Sequence, residues 1–204
     1  MSAVLDPLTV APRAASWPAL AGSVRTCVAC PELVEGRTQV VPGLAPPAAD
    51  LLFVGEAPGA QEDAVGVPFV GRAGQLLDTL LAEVGLSRDR VAVANVLKCR
   101  PPANRKPRRG EVARCRPWLE RQISLLDPAL IVALGGTAAE WFVGPSARIA
   151  ALRGQVLGYD GRRVLVTYHP SAAIRFGPAG APLAALREDL AEAARLATVP
   201  RPGR

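Results

Sequence analysis

The sequence predicts an α/β protein, a three-layer α/β/α sandwich built on a central four-stranded parallel sheet. Two observations carry that expectation. Four short runs, DLLFVGE (50–56), VAVANVL (91–97), ALIVALGG (129–136) and RVLVTYH (163–169), are rich in Val, Leu and Ile with little alternation, as strands buried on both faces of a parallel sheet are. Helical candidates separate and follow them, and strand alternating with helix is the pattern of right-handed crossovers that put helices on both faces of a sheet. A chain of 204 residues suits one such domain, long enough to bury roughly 70% of its unfolded surface.

In chain order, residues 1–16 and the closing VPRPGR (199–204) read as poorly ordered termini, and residues 17–198 as a single domain. After the first strand comes GRAGQLLDTLLAEVG (71–85), a helix that should stop at Gly85. The second strand leads into KCRPPANRKPRRGEVARCR (98–116), too interrupted by proline for a regular helix in its first half, then into the helix GEVARCRPWLERQISLL (110–126). The third strand is followed by GTAAEWFVG (136–144) and the fourth by PLAALREDLAEAARLA (182–197). No internal repeat is present.

The charge is +6, and all but Lys98 and Lys106 of the 24 basic residues are arginine, which suits a polyanionic partner. No apolar run approaches the roughly 18 to 20 residues that span a bilayer, so no membrane association is expected. The start, with Asp6, Pro7 and Pro12, does not read as a secretory signal, and a cytoplasmic location is expected.

The four cysteines are Cys27 and Cys30, a CxxC pair, and the widely spaced Cys99 and Cys115, which bracket the basic loop. In a cytoplasmic chain such a set argues for metal or redox chemistry over disulfides. Tetrahedral zinc and a [4Fe–4S] cluster both accept four thiolates. The wide second pair, flanked by Pro101, Pro102 and Pro117, favours iron and sulfur over the two tight knuckles usual for zinc.

In an open parallel sheet, working residues gather beyond the carboxyl ends of the strands. Here those ends are Gly55 and Glu56, Asn95, Gly135 and Gly136, and His169, the single histidine of the chain. One cleft would then hold a carboxylate, an amide, bare backbone and an imidazole. GEAPG is neither a dinucleotide fingerprint nor a P-loop, so no nucleotide cofactor is expected.

Taken together, GEAPGAQED (55–63), GVPFVGRAGQLLD (66–78), VANVLKCRPPANRKP (93–107) and YHPSAAIR (168–175), with the cysteines interleaved, resemble the family 4 uracil-DNA glycosylases, the iron–sulfur members of their superfamily, over roughly residues 24–197. The resemblance implies that superfamily's fold, a [4Fe–4S] cluster on Cys27, Cys30, Cys99 and Cys115, and monofunctional removal of uracil from single- or double-stranded DNA by a monomer. Asn95 is similar to the asparagine that reads the uracil edge, Phe69 to the aromatic beneath the extruded base, and Gly55 and Ala57 to residues that line the pocket. His169 would donate to uracil O2 and Glu56 orient the attacking water. Glu62 and Asp63 would wall off the C5 side of the base. Ser171 would bond a phosphate, Ala173, Ile174 and Arg175 would supply the wedge that enters the emptied stack, and Arg100, Arg105, Lys106, Arg108 and Arg109 would form a platform for the DNA backbone. A sister branch that traps its product through an added histidine is excluded, because this chain has no second histidine. A Schiff-base lyase step is disfavoured, because one of the two lysines, Lys98, adjoins Cys99.

Two other classes account for part of the pattern: a [4Fe–4S] redox or sensing protein with a basic docking surface, and a zinc-built DNA-binding module. Both leave Asn95, Phe69 and His169 without a role.

Overall fold

A computed structural model describes residues 6–198. At its centre is a sheet of β1 (Leu51–Gly55), β2 (Val91–Asn95), β3 (Leu130–Leu134), β4 (Val156–Tyr159) and β5 (Arg162–Thr167), in the order β2-β1-β3-β5-β4. Strands β1, β2, β3 and β5 are the four runs expected from sequence, and they pair in parallel.

The fifth strand is a correction to the four-stranded sheet. Strand β4 pairs antiparallel with β5 at the sheet's edge. Its sequence, VLGY, is only half buried and lacks the continuous apolar character of an interior strand. Its signal is the turn that follows: Asp160 and Gly161 both take positive φ, 47° and 73°, the hairpin geometry that an Asp-Gly pair suits.

Before the sheet come α1 (Pro7–Val10), α2 (Trp17–Arg25) and α3 (Pro31–Val34). Helices α4 (Ala60–Val65) and α5 (Arg72–Glu83) connect β1 to β2, α6 (Arg109–Leu126) connects β2 to β3, and α7 (Gly136–Val143) and α8 (Ile149–Leu152) follow β3. After β5 come α9 (Pro170–Phe176) and α10 (Ala181–Ala197).

Side chains two apart on a strand share a face, and the sheet uses both faces. Leu51, Phe53, Val91, Val93, Val132 and Leu165 pack with Leu77 and Leu81 of α5 and Leu186 and Leu190 of α10. Leu52, Val54, Ala92, Ile131, Ala133 and Val164 pack with Leu119 and Ile123 of α6 and Trp141 of α7. Beyond the second layer a third cluster joins Leu20, Val24, Leu33, Leu97 and Trp118 to the four cysteines. The outer edge of β2 is covered: Leu44 and Val93 exchange both backbone hydrogen bonds at 2.8 Å, which leaves less edge for another chain to pair with.

Residues 6–16 also depart from the expectation of a loose terminus. Asp6 caps α1, Ala11 is fully buried in the third cluster, and the Arg121 guanidinium of α6 donates twice to the Ala14 carbonyl, at 2.6 and 3.0 Å. A long-range anchor of this kind leaves no local trace in the sequence. Residues 1–5 and 199–204, also read as poorly ordered, lie outside the described residues.

Candidate active site

The parallel strands end on one side, and their last residues meet there. Beyond β1 the chain passes through Glu56 and Ala57 into α4. Glu62 in the first turn of α4 accepts from the Gly59 N–H at 3.1 Å and the Gly71 N–H at 2.7 Å. One carboxylate therefore ties together the two loops that bound the site. Asp63 does otherwise. It accepts from the Thr38 and Gln39 N–H groups at 3.0 and 3.3 Å and does not line the cavity. Neighbouring helix residues point about 100° apart, so α4 turns Glu62 toward the site and Asp63 away from it. This corrects the expected pairing of the two at the base.

Phe69 sits in the left-handed region, φ 55°, at a cost on the order of 1–3 kcal/mol for a non-glycine residue. Its carbonyl accepts from Arg88 Nη2 at 2.9 Å, and Arg88 in turn pairs with Asp78 on α5. The carbonyl lies so close over Gly74 that a Cβ there would collide with it. Gly55 is just as constrained: a Cβ at that position would stand 2.5 Å from Asn95 Oδ1 and 2.7 Å from Phe69 Cζ. The bare backbone at the end of β1 is what lets the aromatic ring and the amide converge.

Asn95 ends β2, 3% exposed. Its carbonyl accepts from Lys98 Nζ at 2.7 Å. The same ammonium donates to Gln122 Oε1 at 2.6 Å, and Gln122 Nε2 donates to the Pro42 carbonyl at 2.5 Å. Burial pushes Lys98 down to about 8. The backbone of Asn95 is thus pinned from behind, while its side-chain amide makes no hydrogen bond among the described residues.

His169 follows β5 and caps α9. Its Nδ1 accepts the Ser171 N–H at 3.2 Å and lies 2.8 Å from Ser171 Oγ. With Nδ1 an acceptor, the ring proton belongs on Nε2. Burial pushes the imidazole down to about 4 against the opposing pull of the Glu62 charge, so it is neutral at pH 7. Its ring centroid is 6.0 Å from that of Phe69, with 30° between the planes. Glu56 accepts a hydrogen bond from the Thr137 hydroxyl at the start of α7. The end of β3 therefore contributes more than bare backbone.

Glu56, Ala57, Glu62, Phe69, Asn95 and His169 share one cavity of about 260 Å³, with Arg105 and Ser171 at its wall. A family model for the uracil-DNA glycosylase superfamily matches residues 42–191. The chain belongs to the uracil-DNA glycosylase superfamily. It is 47% identical over 154 residues to a type-4 uracil-DNA glycosylase of Thermotoga maritima, covering 74% of this chain and 80% of that protein. A type-4 uracil-DNA glycosylase of Sulfurisphaera tokodaii is 43% identical over 160 residues, covering 74% and 72%. A type-5 uracil-DNA glycosylase of Mycobacterium leprae is 32% identical over 199 residues, covering 78% and 86%. The higher identities put the chain in the type-4 branch of the superfamily.

Around this uracil-DNA glycosylase cavity the remaining expected residues divide. Ala173 is corrected: it is 3% exposed and packs into the core between the sheet, α5 and α10, because it lies on the inward face of the short helix α9. Ile174 is half-buried, and Arg175 is exposed with its guanidinium 5.9 Å from the centre of the exposed Phe176 ring. Ser171 turns its hydroxyl to His169. In the basic loop, Arg105 is held by the buried Glu111 through two bonds of 2.9 and 2.5 Å, Arg100 donates to Asn104 Oδ1 at 2.8 Å, and Lys106 pairs with Glu140 at 3.0 Å. Arg108 and Arg109 are exposed. Arg88, Gly74 and Thr137 carry no signal in the linear pattern. Each matters through a partner that only folding brings close, and Thr137 is 81 positions from Glu56.

The four thiols line one small cavity together with Trp118 and the stem of Lys98. Arg37 Nη1 donates to Cys99 Sγ at 2.9 Å, Arg114 Nε to Cys30 Sγ at 3.3 Å and the Lys98 N–H to Cys115 Sγ at 3.3 Å. Burial pushes the Cys99 thiol up to about 11 and Cys115 up to about 12, so thiolates here need compensating positive charge of the kind a bound metal would supply along with these donors. Trp118 Nε1 is buried without a partner among the described residues. Among the described residues no three His, Cys, Asp or Glu side chains close on a single ion. Four thiols at one cavity, three of them with donors on their sulfurs, fit a group that takes four thiolates.

Proposed function

We propose that this protein is a monofunctional uracil-DNA glycosylase that extrudes uracil from single- or double-stranded DNA, hydrolyses its N-glycosidic bond and leaves an abasic site for base excision repair. The observation that carries the reading is the free amide of Asn95, turned to the cavity beside Phe69 and a neutral His169. A base inside a duplex must leave the stack to be read in such a pocket. The Asn95 amide accepts from N3–H with its oxygen and donates to O4 with its nitrogen, a pairing that cytosine does not offer. Phe69 provides the apolar face under the ring.

Cleavage builds positive charge on the sugar and negative charge on the departing uracil. Water attacks C1′, the C1′–N1 bond breaks, and the electron pair leaves with the base. His169 Nε2–H donates to O2, where that charge develops, with no proton transfer required. Glu56, held by Thr137, orients the water and takes its proton. Ile174 and Arg175 fill the emptied stack, and Arg100, Arg105, Lys106, Arg108 and Arg109 carry the DNA backbone.

Cys27, Cys30, Cys99 and Cys115 would hold a [4Fe–4S] cluster, whose contribution is to brace the loop that begins at Cys99. The protein is read as a cytoplasmic monomer; no helix among the described residues is long and apolar enough to cross a membrane.

The test is single-turnover release of uracil from an oligonucleotide carrying one uracil, with the wild type beside Asn95→Ala and His169→Ala. Robust wild-type release, with both variants slowed by about 10²–10³ and unchanged in fold and visible absorption, supports the reading. Cluster-loaded wild type that releases no uracil overturns it.

A further inference from the structure

Behind the basic loop lies a second cavity of about 530 Å³, larger than the one around Asn95. The loop is shared between them: Pro101, Asn104 and Arg105 face the first, while Lys106, Pro107 and Arg109 face the second. Thr137 links the two, lining the second cavity while its hydroxyl holds Glu56 in the first.

The α6 wall of this groove is made of Arg109, Val112, Ala113 and Arg116. Positions i, i+3, i+4 and i+7 share one helix face, so two guanidinium groups flank an apolar floor, with their backbone positions about 10.5 Å apart along the axis. Lys106 adds a third cation. The groove's one acid, Glu140, is already bound by Lys106 Nζ at 3.0 Å. Arg109 makes no ion pair among the described residues, whereas Arg116 pairs with Glu120 at 3.1 Å on its outer side, a pair exposed to solvent. The opposite wall carries Trp141, with the Arg116 guanidinium 4.4 Å from its ring centre. Trp141 is 5% exposed, and its Nε1 has no hydrogen-bond partner among the described residues, an unpaired buried donor of the kind native structures seldom keep without a ligand or water.

We propose that this groove is a second nucleic-acid subsite. It holds the strand that continues to one side of the extruded nucleotide, with phosphates at Arg109 and Arg116 and a sugar and base over the apolar floor between them. The inference rests on the glycosylase reading and goes further, giving the enzyme a polarity along the strand. The loop crest at Arg105 and Lys106 separates the two cavities, so a strand that leaves the first over that crest enters the groove. Cations spaced along an apolar floor match an alternating chain of phosphates and bases.

The probes are two single strands of about twelve nucleotides, with one uracil placed second from the 5′ end or second from the 3′ end. Wild type is compared with Arg116→Gln and with Trp141→Phe over a range of salt. Arg116→Gln is expected to lose about fivefold in kcat/KM on one strand only, and its log–log salt slope on that strand to become shallower by about 0.7, as for one phosphate no longer neutralised. The other strand stays within about twofold, which also shows that the variant is folded. Trp141→Phe slows the same strand. Equal losses on both strands, or no loss on either, overturn the proposal. Wild type that excises uracil from neither strand overturns the glycosylase reading and the groove with it.

Discussion

Asn95 is a buried residue whose side-chain amide faces the cavity and makes no hydrogen bond among the described residues. With no side-chain hydrogen bond to lose, Asn95→Ala should leave the thermal midpoint nearly unchanged while slowing excision by about 10²–10³; a melt and a single-turnover assay on the same preparation check both. His169 offers a cleaner measurement, because a single histidine gives a single imidazole signal in NMR. Its folded pKa of about 4 lies below the ordinary 6.5, so the unfolded chain binds the proton more tightly. Its contribution to stability is complete above pH 6.5 and declines as pH falls from there toward 4. The expected outcome is a ring that stays neutral, with its proton on Nε2, down to about pH 5, and excision showing no inflection near 6.5 from this group. Thr137→Val should lower kcat with little change in KM, by freeing the Glu56 carboxylate, and Thr137→Ser should restore it; a purely structural threonine would not give that split.

Helices aim the functional side chains, and one residue of rotation decides which of two neighbours works. In α4 the carboxylate of Glu62 ties the loops at Gly59 and Gly71, whereas Asp63 serves the loop at Thr38. Gly74 in α5 is fitted to the Phe69 carbonyl, so Gly74→Ala should displace the aromatic platform and slow excision even where the protein still folds. In α9, Ala173 faces the core and Ile174 is half-buried. Ala173→Leu is expected to lose stability, about 1–3 kcal/mol for overpacking, readable in a denaturant melt. Ile174→Ala should leave stability nearly intact and slow excision from duplex more than from single strands, because paired bases cost more to unstack.

Across the molecule, the four cysteines join three segments that the third core cluster also packs together: the turn after α2, the chain leaving β2 and the middle of α6. Arg37 and the pair of Arg114 with Glu32 reinforce it. The loop clamped there borders both the base pocket and the basic groove, so cluster loss should act through that loop. On the proposed iron–sulfur reading, removal of iron, or Cys115→Ser, is expected to open residues 99–109 to limited proteolysis and to weaken DNA binding more than it slows the chemistry of bound substrate.

Much of this was legible in the linear pattern. Strands β1, β2, β3 and β5 stand out because strands buried on both faces must be continuously apolar, and Asn95 and His169 stand out because they terminate such runs. The cysteines declare themselves by type and spacing. Strand β4 was missed because a half-exposed edge strand needs no apolar run, and the anchoring of residues 6–16 because it depends on Arg121, more than 100 positions away. The turning of Asp63 and Ala173 away from the DNA site, the Arg88 hold on Phe69, the Thr137 bond to Glu56 and the basic groove likewise became visible only on folding. Residue type and local spacing settle which backbone forms and which chemistry is available. The direction of a side chain and the identity of its partner are set by packing between segments far apart in the chain, and only the assembled molecule contains that information.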